Sequence, residues 1–174
     1  MNSRFNDPHR AQRDLLRGCE LLGGLPPDVL SELVAASRIV ELSANRTLYE
    51  AGELIREAHI LFNGSVKRAV SMPGGATRVI EIVQNEQLLG MGEVFSASHY
   101  ASTCSGITHA LLVAIDIRKL RDMVLHSHEL SCRIITALAR RQCATEFDAT
   151  GFHYGLTGAQ RLLERLKLGE DWRD

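Results

Sequence analysis

The chain has 174 residues, 45% hydrophobic and 24% charged, with a formal net charge of −1. That suits one domain with its own core and an ordinary globular composition, and it excludes a chain that grips nucleic acid or an anionic membrane by bulk charge. No apolar run approaches the roughly 18 residues of a spanning helix and the polar start MNSRFNDPHRAQRD carries no signal-peptide block, so a cytoplasmic location without membrane attachment is expected.

Residues 1–39 read as helical. In LPPDVLSELVAAS, Pro26 and Pro27 stand where a helix can start, and Val29, Leu30, Leu33 and Val34 follow at helical spacing. Gly23 and Gly24 separate this helix from an amphipathic stretch around Leu15, Leu16 and Leu21. Residues 40–115 change texture to short β-branched segments punctuated by glycine. Ser71-Met72-Pro73-Gly74-Gly75 between two alternating runs predicts a hairpin. RVIEIV alternates, with Val79, Glu81 and Val83 on one face and Arg78, Ile80 and Ile82 on the other. Several such strands predict an antiparallel sandwich or jelly roll.

Within residues 116–150 helices return. Asp116 is an N-cap for IRKLRDMVL, whose Ile117, Leu120 and Val124 share a face. His126-Ser127-His128 interrupts, and a longer helix follows with Ile135, Leu138, Ala139, Cys143 and Phe147 in a narrow stripe. Periodicity alone leaves two partners open for that stripe: a second helix along a seam, or the chain's own β core. Gly151, Gly155 and Gly158 then loosen the chain, and Thr157 with Gln160 forms a capping box. Residues 156–174 thus read as a hinge and the first helix of a further domain. Cys19, Cys104, Cys132 and Cys143 are widely spaced without a CxxC, and are expected to be thiols.

In this order, YEAGE (Tyr49 to Glu53), ILFNGSVK (Ile60 to Lys67), GMGEVF (Gly90 to Phe95) and ALLVAIDIRKL (Ala110 to Leu120) resemble bacterial regulators of the cyclic-AMP receptor protein / fumarate–nitrate regulator (Crp/Fnr) family. The resemblance implies a mostly β fold with flanking helices: a cyclic-nucleotide-binding-like double-stranded β-helix, or jelly roll, followed by a long dimerisation helix. It implies no enzyme but an effector-sensing part of a transcription regulator, a homodimer through Ile134, Ile135, Leu138, Cys143 and Phe147. DNA would be read only by a C-terminal winged helix-turn-helix domain beyond these residues.

Cyclic-nucleotide binders of this family hold ribose with a glutamate, and the cyclic phosphate with an arginine followed by serine or threonine. Gly92 and Glu93 resemble the first part. The loop Val94 to His99 is about two residues short, and Ala101 falls where the arginine should be, followed by Ser102 and Thr103. A methyl group cannot replace a guanidinium, since burying a phosphate without a charge partner costs several kcal/mol. Arg78 and Lys67, both on strands, are the alternative cations considered, and neither can be placed in the cassette from sequence. Cyclic AMP and cyclic GMP are therefore not expected as ligands.

The His99-Tyr100-Ala101-Ser102-Thr103 run instead resembles the branch that answers oxygen or nitric oxide, where the effector is a gas or small molecule. A tight cysteine run for an iron–sulfur cluster is missing, so haem is the cofactor to consider, with His99 or Tyr100 as candidate ligand. Two other classes fit less well. A cyclic-nucleotide module from a kinase or channel fits the roll but not the hinge and capped helix. A cupin-type metalloenzyme needs converging histidines at strand spacing, and the only HxH lies in a helical zone.

Overall fold

A computed structural model describes residues 8–84 and 86–153, the side chains of residues 8 and 146–153 excepted. The expected hinge and helix over 156–174 lie outside the described residues, as does the Phe147 side chain. Two helices open the fold, α1 (Pro8–Gly18) and α2 (Pro27–Ala35). Pro27 occupies the first turn of α2, where its missing N–H costs nothing, and Leu30, Leu33 and Val34 are buried.

The roll follows as β1 (Ser37–Leu42), β2 (Thr47–Tyr49), β3 (Glu57–Asn63), β4 (Ser65–Ser71), β5 (Thr77–Gln84), β6 (Gln87–Leu88), then helix α3 (Met91–Ser96), β7 (Thr103–Gly106) and β8 (Ala110–Asp116). These form two four-stranded antiparallel sheets, ordered β1-β8-β3-β6 and β2-β7-β4-β5. The mostly β fold with flanking helices expected from the sequence is the one found. Strand pairing begins at Ser37, opposite Ile115, a little before the expected change of texture at residue 40. The predicted hairpin joins β4 to β5: Gly74 and Gly75 take φ of 89° and 85°, which a residue with a Cβ avoids, and Met72 N–H donates to the Ala76 carbonyl at 2.7 Å.

The two sheets differ in burial. In β8, Ala110, Leu112, Val113, Ala114 and Ile115 are all at most 1% exposed. On β5 only Val83 is buried, and Ile80 and Ile82 are 48% and 61% exposed. The expected alternation along RVIEIV survives at Glu81 and Val83, but Val79 on the same side is 48% exposed. The cause is a bulge. The ladder pairs Arg68 with Glu81 and Ala69 with Val79, leaving Ile80 as an extra residue on β5.

Helix α4 (Ile117–His126) is capped as predicted: the Asp116 carboxylate accepts from Arg118 N–H at 2.9 Å and Lys119 N–H at 3.1 Å. Those donors hold the Asp116 carboxyl below its ordinary pKa. On α4 the buried positions are Ile117, Leu120 and Met123, with Val124 half-buried. After Ser127, helix α5 runs 26 residues, His128–His153. The chain divides into compact units after Arg133.

Candidate functional site

The expected loop Val94 to His99 begins inside helix α3, which runs Met91–Ser96. Gly90 precedes it at φ 58°, and a Cβ there would lie 3.3 Å from Glu93 Oε2, 3.6 Å from the Tyr49 hydroxyl and 3.8 Å from Arg68 Cζ. Glycine thus lets three polar groups converge on the start of α3.

At the centre of the convergence is Arg68, on β4 and only 6% exposed. Its Nη1 donates to Glu81 Oε2 at 2.8 Å, its Nη2 donates to Glu93 Oε1, and its Nε donates to Ser102 Oγ at 3.1 Å. Burial works against the charge, but the neighbouring Tyr49, Glu81 and Glu93 oxygens outweigh it and hold the guanidinium pKa above its ordinary value. One positive charge faces two carboxylates, so this cluster is net negative. Two buried oxygens beside it, Glu93 Oε2 and the Tyr49 hydroxyl, have no hydrogen-bond partner.

The expectation that the cradle has no cation within reach is therefore corrected. Ala101 does occupy the exposed bend where the family pattern places an arginine, with only its methyl. Arg68 fills the space behind it from the neighbouring strand, paired with β7 through Cys104. Neither Arg78 nor Lys67 supplies the charge. Sequence reasoning missed Arg68 although the alternation Val66-Lys67-Arg68 places it on the inward side with the fully buried Val66. An inward charge at a strand position was the signal available.

An aromatic stack walls the cluster. Tyr49 and Tyr100 lie 3.6 Å apart at 7°, and the Tyr100 hydroxyl donates to the Glu57 carbonyl at 2.7 Å. Burial pushes both phenols above their ordinary range. Burial likewise raises the Cys104 thiol to about 11; the adjacent Tyr49 hydroxyl moderates the shift without forming a well-aligned hydrogen bond. At neutral pH Cys104 is a protonated, unreactive thiol. His59, 6% exposed and 6.0 Å from Tyr49, is lowered to about 4 by burial and is a neutral imidazole.

Of the predicted site residues, the structure unites Glu93, Ser102 and Tyr100 around Arg68 and Tyr49. Thr103 is half-buried and its Oγ1 accepts from Ala51 N–H at 3.1 Å. Gly92, His99 and Ala101 are exposed at the rim; the His99 ring lies 2.9 Å from Ser98 Oγ. At the far end of α3, Arg121 of α4 donates to the Val94 carbonyl at 2.9 and 2.6 Å and to the Ala97 carbonyl at 2.8 Å. On α5, Ile134 is 3% exposed in the single chain, Leu138 is half-buried, and Ile135 (63%) and Cys143 are exposed. Among the described residues no group of three or more histidines, cysteines or carboxylates could hold a metal, and no helix is long and apolar enough to cross a membrane.

A roll of two antiparallel sheets with a short helix presenting a glutamate to a buried guanidinium defines a class, and the sequence model of the cyclic nucleotide-binding domain matches residues 39–127. The chain belongs to that family. More particularly, its relatives are Crp/Fnr-type transcription regulators. It is 23% identical over 128 residues to the CRP-like cAMP-activated global transcriptional regulator of Mycobacterium tuberculosis, covering 74% of this chain and 57% of that protein. The chain thus spans little more than half the length of this curated relative. The sensor domain of the transcriptional regulator DNR from Pseudomonas aeruginosa superposes with a TM-score of 0.67 at 22% identity, over 76% of this chain and 89% of that one. The N-terminal domain of a transcriptional regulator from Streptomyces coelicolor matches with a TM-score of 0.59 at 26% identity, over 79% and 95%.

Proposed function

We propose that this chain is the effector-sensing and dimerisation part of a Crp/Fnr-type DNA-binding regulator, and that cyclic AMP and cyclic GMP are not its effectors. The observation that carries the second half is the engagement of Arg68 by internal partners. Each of its three nitrogens already donates to Glu81, Glu93 or Ser102. A cyclic phosphate arriving there would meet two carboxylates and have to displace one from a bidentate-capable guanidinium. Cyclic nucleotide does not fit this arrangement. Calorimetric titration of the chain with cyclic AMP and cyclic GMP should give no binding heat, and a micromolar Kd for either would overturn the reading.

Response to an effector requires two arrangements that bind it unequally, here a change in the roll passed to paired α5 helices. The exposed stripe Cys132, Ile135, Ala139 and Cys143 is the face we assign to the second copy. DNA reading would belong to residues beyond those described. Haem does not fit at His99: the ring is exposed, and the interior behind it is filled by Tyr49 stacked on Tyr100. A redox signal would meet Cys132 and Cys143 before the buried Cys19 and Cys104.

A further inference from the structure

We propose that Glu81 is the residue that decides ligand class at this site: its carboxylate serves as a built-in anion for Arg68 and thereby shuts out phosphate-bearing ligands. The proposal rests on the reading that the cradle is closed to cyclic nucleotides, and it names the cause.

The glutamate of α3 belongs to the family cassette, and the serine behind Ala101 keeps its place. Glu81 is the addition. It comes from β5, an edge strand, and reaches Arg68 because the bulge after Arg68 sets the two residues opposite each other. Its side chain is 19% exposed and that of Glu93 18%, so the cluster lies just beneath the surface and can be approached by a small anion.

Charge decides the outcome. With Glu81 ionised, Arg68 and the two carboxylates sum to −1, and an incoming phosphate monoanion or dianion is repelled by a half-buried site where screening is weak. Without Glu81 the sum is zero and Nη1 is released to donate to a phosphate oxygen, while Nε stays on Ser102 and Nη2 on Glu93. The buried Glu93 Oε2, which has no hydrogen-bond partner, fits a guanidinium divided between two carboxylates.

The test compares wild type with Glu81→Gln, which keeps the shape, and Glu81→Ala, which also makes room. Inorganic phosphate and cyclic AMP are the separate probes, read by calorimetry, with the Arg68 Nε–H resonance followed by NMR. The variants should bind inorganic phosphate at least tenfold more tightly than wild type, which corresponds to about 1.4 kcal/mol, and the Arg68 resonance should move in them but stay fixed in wild type. Cyclic AMP binding more tightly than phosphate to the variants would show that the nucleoside contacts persist beside the opened cradle, and equal affinity that phosphate alone is recognised; both support the role of Glu81. Adding Arg68→Met to Glu81→Gln should abolish the gain, and binding that persists in the double variant overturns the proposal. Folded single variants with wild-type isotherms overturn it too. Wild type binding cyclic AMP would instead sink the closed-cradle reading itself. If neither variant folds, a wild-type Arg68 resonance that shifts with phosphate still overturns the proposal, and one that does not supports it.

Discussion

The two sheets are built from the same kind of strand and put to different use. In β1-β8-β3-β6 the central strands β8 and β3 are covered on both faces, with Ala58, Leu61, Ala110, Leu112, Val113 and Ile115 at 0% exposure. In β2-β7-β4-β5 the edge strand stands largely in solvent, while the strand beside it carries a buried arginine between two glutamates. One sheet is held mainly by apolar packing. The other is held in part by charge, which can be rearranged at a cost of single ion pairs rather than of a core. A sensing module needs both, a rigid wall and a wall that can change.

The largest effect should come from breaking the charged wall. Arg68→Met removes the guanidinium shared by Glu81 and Glu93, and urea denaturation should show a loss of about 3–5 kcal/mol. A loss within surface-mutation scatter would mean that this sheet does not depend on the cluster. Leu112→Ala in the apolar wall opens a cavity in β8 and should cost about 2–5 kcal/mol, whereas Ile82→Ala on β5, at 61% exposure, should stay within about 0.5 kcal/mol. Similar losses for these two would erase the contrast between the sheets.

His59 on β3 gives the apolar wall a pH signature. Its folded pKa of about 4 lies below the ordinary 6.5 because burial disfavours the imidazolium. The unfolded chain therefore binds a proton that the folded chain refuses, so stability is complete above about 6.5 and falls as pH drops towards about 4, by at most roughly 3 kcal/mol. His59→Gln should flatten that slope in thermal melts collected across the window, and an unchanged slope would assign it to other groups. The smallest of these effects concerns the end of β8: Asp116→Ala removes the cap of α4 and should cost about 1 kcal/mol. The Asp116 carboxyl is depressed, so its contribution is present above the ordinary carboxylate range and fades as pH falls through the folded value.

What could be read from the sequence was local. The glycine pair of the β4–β5 turn, the prolines of α2, the Asp116 cap and the glutamate after Gly92 each announce themselves within a few residues, because turns and caps are short-range chemistry. The Arg68–Glu81 pair was not legible. Counting back from the hairpin turn without a bulge sets Arg68 opposite Ile80, and the extra residue that restores Glu81 leaves no mark in the sequence. The start of α3 was hidden for a similar reason, since six residues, MGEVFS, are too few for periodicity to register. On α5, Ile134 and Ile135 are adjacent and equally apolar, and only burial separates the covered one from the exposed one.

Helix α3 is gripped at both ends by guanidinium groups. Arg68 holds it through Glu93 from the roll, and Arg121 holds its closing carbonyls from α4. A six-residue rod tethered in this way cannot drift. It is carried with the β4–β5 hairpin or with α4, and when those two disagree one arginine must let go. The middle of the β4–β5 ladder and the helix that leads into α5 thus both hold one short element, on the roll side through Glu93.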